Sequence, residues 1–295
     1  MKYKLLSFVS AAMLLVASPL PAHADAGDSP TLKRIAERGM VSIGHRETSI
    51  PFSYMDQGGK PIGYSIDICM KIVDAVRAQL GKPDLGVKMV PVTGQTRIPL
   101  LANGTIDIEC GSTTNNLTRQ RQVSYLQTTF ITGTKIAVRK DSGVKEIEDL
   151  KGKIIGVASG TTNEKAIKDH IAENRLDIKI THVKDHSQGW LALETGRVDA
   201  YGSDDVLLYG LISKSKAPDG YAVVGRYLSF DPYAIMVPRN DDTFQRLGTA
   251  VLSELMRSGE LEKMYNKWFS PGPTDIKMPM SDTLKTAFQI QALPE

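Results

Sequence analysis

The sequence of 295 residues carries 36 Lys and Arg against 33 Asp and Glu, a formal charge of +3, and contains two cysteines. That near-balance argues against a nucleic-acid or anionic-membrane surface. The length suits two modest domains or one large one.

The chain opens with MKYKLLSFVSAAMLLVASPLPAHA. Lys2 and Lys4 give a basic start, Leu5 to Ala17 is an apolar run, and Ala22-His23-Ala24 has the small-x-small pattern of a cleavage site. Residues 1–24 therefore read as a signal peptide. The run is too short for a membrane span, and no Cys near the cleavage point offers a lipid anchor. Loss of Lys2 and Lys4 from the 36 basic residues leaves 34 against 33 acidic ones. No later segment is apolar for long enough to cross a membrane.

Strand and helix patterns then alternate. MVSIGHR is a short strand expected to break at Gly44. YSIDICMKIVDAVRAQLG places Ile66, Cys69, Ile72, Val73, Val76 and Leu80 on one helical face, and Gly81 ends it. GVKMVPV is a strand, TRIPLLANG a short helix stopped by Gly104, and TIDIEC a third strand. The series restarts as strand KIIGVAS, helix TNEKAIKDHIAENRL, strand DIKITHV, helix SQGWLALETG and strand RVDAYGS. Such alternation implies mostly parallel sheets covered by helices, an α/β fold. LLANGTIDI and ALETGRVDA share Leu-x-x-Gly-x-x-Asp, through Leu101, Gly104 and Asp107, then Leu193, Gly196 and Asp199. Two successive series suggest two similar lobes.

FITGTKIAVRKDSG and PYAIMVPRND are extended segments placed to form a two-strand hinge. The helices of TFQRLGTAVLSELMRSGELEKMYNKWF carry an apolar side, and the Pro-rich stretch after it is expected to wrap the surface or fray. The expected division is 25–131 and 231–270 for the first lobe, 132–230 for the second, and 271–295 as a tail. Cys69 and Cys110 either form a bridge in an oxidising compartment or remain buried thiols. A bridge would close about 40 residues and contribute roughly 4 kcal/mol. Two cysteines without a histidine cluster make no metal site, and nothing calls for a cofactor.

In open α/β sheets, ligands bind beyond the carboxyl ends of the strands. Those ends carry His45-Arg46-Glu47, Gly111-Ser112-Thr113-Thr114, Ser159-Gly160-Thr161-Thr162, Lys184-Asp185-His186 and Gly202-Ser203-Asp204-Asp205. Thr161-Thr162 opens a helix, whose free N–H groups attract anions. Arg46, Arg97 and Arg119 suit bidentate carboxylate bonds, and Asp204 or Asp205 suits an ammonium. Several carboxylate binders and one acid fit an acidic amino acid. Each residue also has a plainer reading: solvated Arg, Ser112 to Asn115 as a cap cluster, His186 or Asp204 as helix caps.

The motifs PFSYMDQGGKPIGYSIDI, GHRETSIPFSY, RIPLLANGTIDIECGSTTNN, KDHSQGWLALETGR and SGELEKMYNKWF resemble the polar amino-acid family of periplasmic solute-binding proteins of ABC importers. The glutamate/aspartate-binding type is the nearest. The resemblance covers nearly the whole mature chain. It implies a two-lobed type II periplasmic-binding-protein fold with two crossover strands as hinge. It further implies periplasmic location, L-glutamate or L-aspartate as ligand, an inner-membrane permease as partner, and a monomer with no membrane anchor. By that resemblance Arg119, helped by Thr114 and Thr162, takes the α-carboxylate. Asp204 with Ser112 takes the ammonium, and Arg46, Arg97 and His186 take the side-chain carboxylate. Gly94 departs from the pattern, standing where the acidic-amino-acid members carry a Ser that faces the ligand. The rival readings are a binder of another amino acid or small dicarboxylate, a sensory domain, and a dehydratase-like enzyme on the same fold, with Glu47 or Asp205 as its acid. No Ser-His-Asp or Cys-His arrangement supports an enzyme.

Overall fold

The computed structural model describes residues 26–270 and 273–294, so the expected signal peptide lies outside the described residues. Ser29 caps helix α1 (Pro30–Arg38) by accepting from Leu32 N–H, and Gly39 in the left-handed region ends it. Then follow β1 (Met40–His45), β2 (Thr48–Ser49), β3 (Ser53–Met55), β4 (Pro61–Ile62), α2 (Tyr64–Leu80), β5 (Gly86–Pro91), α3 (Arg97–Ala102), β6 (Ile108–Cys110) and α4 (Leu117–Gln120). Next come β7 (Val123–Thr132), β8 (Thr134–Arg139), β9 (Ile154–Ala158), α5 (Thr162–Glu173), β10 (Lys179–Val183), α6 (His186–Glu194), β11 (Ala200–Asp204), α7 (Asp205–Ser213) and β12 (Tyr221–Val224). β13 (Asp231–Pro238), α8 (Asp242–Arg257), α9 (Glu260–Phe269) and α10 (Asp282–Gln291) complete the chain.

Two five-stranded sheets result, ordered β5-β1-β6-β13-β7 and β10-β9-β11-β8-β12. In each, three parallel strands are followed by an antiparallel one, β13 on β6 and β8 on β11. The shared Leu-x-x-Gly-x-x-Asp pattern has one structural role in both. Gly104 and Gly196 take positive φ just after a helix. Three residues on, Asp107 accepts from Ser42 N–H in β1, and Asp199 accepts from Ile154 N–H in β9. Each carboxylate thereby pins one parallel strand to the next in its sheet, β1 to the start of β6 and β9 to the start of β11.

Two expectations shift. β1 runs through Gly44 to His45. A Cβ at Gly44 would meet Ile106 Cδ1 at 2.4 Å, so this glycine serves packing and does not break the strand. The proposed hinge strands are integral parts of the sheets, and the crossing itself is short. β7 of the first sheet passes into β8 of the second through Gly133, and the return runs through Ser229 and Phe230 into β13. The two crossings touch backbone to backbone, since a Cβ at Gly133 would meet Ser229 O at 2.2 Å.

The larger core lies in the first lobe, around Phe52, Tyr64, Phe130, Tyr233, Tyr265 and Phe269. Phe52 meets Phe130 and Tyr233 edge-on, with ring centroids 4.9 and 5.0 Å apart. Val206 and Leu207, from the start of α7, pack into this same core, so the second lobe is seated on the first. Cys69 and Cys110 are bridged, tying α2 to the end of β6. The tail does more than wrap: α10 buries Leu284 and Phe288, and the Gln291 carboxamide accepts from Thr128 N–H at the edge strand β7. A helix with an apolar face covers a sheet edge that would otherwise leave backbone groups unpaired.

Candidate functional site

The carboxyl ends of the parallel strands of both lobes face one another. Arg46 follows β1, Arg97 opens α3 after β5, and Ser112 and Thr114 follow β6. From the second lobe, Thr161 and Thr162 follow β9, His186 follows β10, and Asp204 ends β11. A small, narrow cavity lies between them. Seven of the eight expected residues line it, joined by Thr161, Asn163 and Leu207. The eighth, Arg119, lies off that wall. Its Nη1 donates to Thr114 O at 2.8 Å, and its Nη2 donates across the lobes to Gly160 O at 3.3 Å.

The plainer cap readings fail on geometry. α4 is capped by Asn116 and α6 by Asp185, which leaves Ser112, Thr114 and His186 for other work. Asp204 occupies the cap position of α7 but makes no cap bond. None of the three arginines is a solvated surface charge: Arg46 and Arg97 are 2% exposed and Arg119 8%.

Burial of three guanidiniums demands counter-charge. Glu109, fully buried in β6, supplies it. Thr113 Oγ1 accepts from Arg97 Nη1 at 2.6 Å and donates to Glu109 Oε2 at 2.9 Å, so one hydroxyl links cation to anion. Burial pushes the Glu109 carboxyl up, while Arg97, Arg46 and Arg119 pull it back. Gly111 makes the approach possible, because a Cβ there would meet Glu109 Oε1 at 2.3 Å and Arg46 Cγ at 2.8 Å. Arg46 and Arg119 are each lowered to about 10, chiefly by burial and then by Arg97, and stay charged at neutral pH. Arg46 Nη2 and Ser112 Oγ are buried without a hydrogen-bond partner in the protein. Such donors are rare unless a ligand or water completes them.

His186 is buried, and desolvation together with Arg46 and Arg97 holds its pKa well below the usual value, so the imidazole is neutral. Its Nδ1 lies 2.9 Å from Tyr201 Oη. Asp204 accepts from Asn163 Nδ2 at 3.0 Å and from Tyr233 Oη. Burial and the nearby Asp231 raise Asp204 to about 7. Asp231, itself buried in the second crossing, accepts from Thr114 Oγ1 at 2.8 Å and from Ser229 Oγ. The lobes also meet through Thr114 and Thr162, whose hydroxyls are 3.2 Å apart. Gly94 and Gly160 meet backbone to backbone: a Cβ on Gly94 would lie 2.5 Å from Ser159 O.

Sequence reasoning missed Glu109, Asn163, Tyr201, Asp231 and Tyr233, and named Thr113 only within a strand-end run without a role. Glu109 lies beside residues already singled out, so its adjacency was the available signal. Tyr233 sat in a segment read only as a hinge, and Asp231 immediately precedes that segment. A recess behind the hinge, lined in part by Phe130, Tyr227, Phe230 and Leu284, is more apolar. Its carboxylate, Asp205, is already held by Thr132 and Tyr227. Among the described residues, no group of three His, Cys, Asp or Glu side chains gathers to hold a metal ion.

Residues 41–271 match the family described as bacterial extracellular solute-binding proteins, family 3, and the chain belongs to that family. It is 42% identical over 275 residues to the glutamate/aspartate import solute-binding protein of Salmonella typhimurium, covering 91% of each chain. It is 44% identical over 260 residues to the L-glutamate/L-aspartate-binding protein of Pseudomonas aeruginosa, covering 86% of each. Among solved structures it is similar to an ancestral arginine-binding protein bound to arginine, at 29% identity and a TM-score of 0.71, over 79% of this chain and 99% of that one. The two-lobed type II fold is thus shared.

The Thr113 link lies within the first lobe and is independent of how the lobes sit. Thr113→Val keeps the shape and removes the hydroxyl, so it should lower stability by about 2 kcal/mol. Urea unfolding should show an earlier midpoint. An unchanged midpoint would mean that the Arg97–Thr113–Glu109 link contributes nothing.

Proposed function

We propose that this family-3 solute-binding protein is an exported receptor for L-glutamate and L-aspartate, which it captures between its lobes and delivers to an inner-membrane ABC importer. The observation that carries the reading is the imbalance of buried charge. Three guanidiniums share Glu109 as their common carboxylate, with Asp231 acting on Arg119 as well, and Arg46 Nη2 has no protein partner. Further anionic groups would balance that cluster. On the same cavity wall, Asp204 offers a carboxylate to one cation. An α-amino dicarboxylate has this pattern of charge. The relatives from Salmonella and Pseudomonas, named for glutamate and aspartate, support the same ligand class.

In this reading Arg119 takes the α-carboxylate with Thr114 and Thr162, its Nη2 exchanging the long bond to Gly160 O for the ligand. Asp204 takes the ammonium, with Ser112 beside it. Arg46, Arg97 and the neutral His186 hold the side-chain carboxylate. A cationic side chain, as in arginine, would meet Arg46 and Arg97 unfavourably. A dicarboxylate without an amine would leave Asp204 facing no cation. No bond need be made or broken. The carboxylates nominated for an enzyme stand off the cavity wall, Glu47 exposed and Asp205 bonded to Thr132 and Tyr227. The leader 1–24 would be removed on export. The lobes would comprise 25–131 with 231–270, and 132–230, the tail 271–295 packing on the first, and the receptor would act as a monomer in the periplasm.

Closure buries the ligand's charges, so each carboxylate oxygen needs a donor. Arg119→Ala should weaken L-glutamate binding by about 3 kcal/mol or more, because the α-carboxylate is left buried and unpaired. Calorimetry measures this, and a near-native affinity would remove the assignment. A pH dependence follows from Asp204. Its pKa of about 7 means that it holds a proton below neutrality, whereas an ammonium favours the anion. Affinity is therefore full above pH 7 and falls as pH drops below it, by up to about tenfold per unit. At pH 6, titrations in buffers of different ionisation heat should reveal proton release. An affinity unchanged from pH 8 to 5.5 would contradict this role for Asp204.

A further inference from the structure

We propose that Tyr201 is a positioning residue for recognition of the ligand side chain: its hydroxyl donates to His186 Nδ1 and fixes the Nε2–H tautomer, so that Nε2–H is the donor offered to the cleft. The inference rests on the glutamate/aspartate reading for its ligand, but its geometric basis lies within the second lobe.

Tyr201 is the second residue of β11, wholly buried. Its strand neighbours are small, Ala137 in β8 and Gly156 in β9. The ring fits beneath α6 because position 189, three residues after His186, is glycine. A Cβ at Gly189 would meet Tyr201 Cε2 at 2.1 Å and Cζ at 2.6 Å. The sequence thus clears a seat for a large ring directly under the first turn of α6, and the hydroxyl emerges 2.9 Å from His186 Nδ1. The ring planes are inclined at 75°, so the contact is edge-on and not a stack.

The direction of the bond follows from proton accounting. A neutral imidazole has one N–H and one acceptor nitrogen. Among the described residues, Nδ1 is the hydrogen-bond partner recorded for the Tyr201 hydroxyl. If Nδ1 carried the proton, the buried phenolic hydrogen would lack an acceptor, which is costly. With the hydroxyl as donor, Nδ1 accepts and the proton resides on Nε2. Burial keeps the phenol far from ionising, and burial with Arg46 and Arg97 keeps the imidazole neutral. His186 lines the cavity, and Nε2 is the ring nitrogen left to face a ligand. The cleft thereby gains a hydrogen-bond donor for the side-chain carboxylate without a further buried positive charge beside the arginines. A phenylalanine would fill the same seat but leave the tautomer unfixed, so the hydroxyl has a role that packing does not require.

The test uses the full mature chain with ¹⁵N-labelled histidine. His186 is assigned by loss of its signals in His186→Asn. In the ligand-free native protein the imidazole ¹⁵N shifts should report the Nε2–H form. In Tyr201→Phe they should report a mixture of tautomers. Calorimetry with L-glutamate should show a loss of about fivefold to tenfold for that variant, with a near-native melting temperature because the ring seat is kept. An Nδ1–H signal in the native protein, or native glutamate affinity in Tyr201→Phe, overturns the proposal. If the native protein leaves L-glutamate unbound, the functional reading falls instead, and the ligand-free tautomer still decides the assignment of Tyr201.

Discussion

Arg46, Arg97 and Arg119 are buried close to one another, and their mutual repulsion is what the surrounding structure must contain. Like charges out of water are tolerable only with hydrogen bonds and counter-charge at close range. Glu109 provides the charge, Thr113 the link to Arg97, and Gly111 the space that lets carboxylate and guanidinium approach. Burial, reinforced by the charges of Arg46 and Arg97, suppresses protonation of His186 on the opposite lobe. One local constraint therefore sets the character of the whole cleft: cationic and rich in donors at one end, with a neutral imidazole facing it. Asp204 and Asp231, the latter acting on Arg119 as well, give the same cleft its acidic component.

The lobes meet where glycines let main chain approach main chain. Gly94 lies against Gly160 at the cleft, Gly133 against Ser229 at the crossing, and Gly210 of α7 against Ile50, where a Cβ would meet Ile50 O at 2.5 Å. At Gly94 the absence of a side chain is what permits the close backbone contact with Ser159 and Gly160 of the second lobe. Further from the cleft, the apolar start of α7 fits Val206 and Leu207 into the first lobe's aromatic core. This fixes Asp204, one residue before α7, opposite Tyr233.

Much of this was legible in the sequence because it depends on local periodicity. The alternation of strand and helix gave both series, and the Leu-x-x-Gly-x-x-Asp pattern marked Asp107 and Asp199, which perform the same pinning bond in each lobe. The strand-end rule brought Arg46, Ser112, Thr162, His186 and Asp204 to one place before any geometry was known. What stayed hidden depends on contacts distant in sequence. Gly44 reads as a breaker until Ile106 is seen packed on it. The tail reads as polar until Leu284 and Phe288 meet the first lobe's core. Glu109 is only one residue of a strand until three arginines are found around it. Arg119 stands off the cavity wall, and its bonds to Thr114 O and Gly160 O could not be read from spacing.

The central claim is that the cationic corner reads a side-chain carboxylate. Calorimetric titration of the mature native protein with L-glutamate and, side by side, L-glutamine tests it most directly, since the two differ only in that charge. The account predicts tighter glutamate binding by about 3 kcal/mol, roughly a hundredfold, because the amide leaves buried guanidinium charge uncompensated. Equal affinity for the two ligands would contradict it.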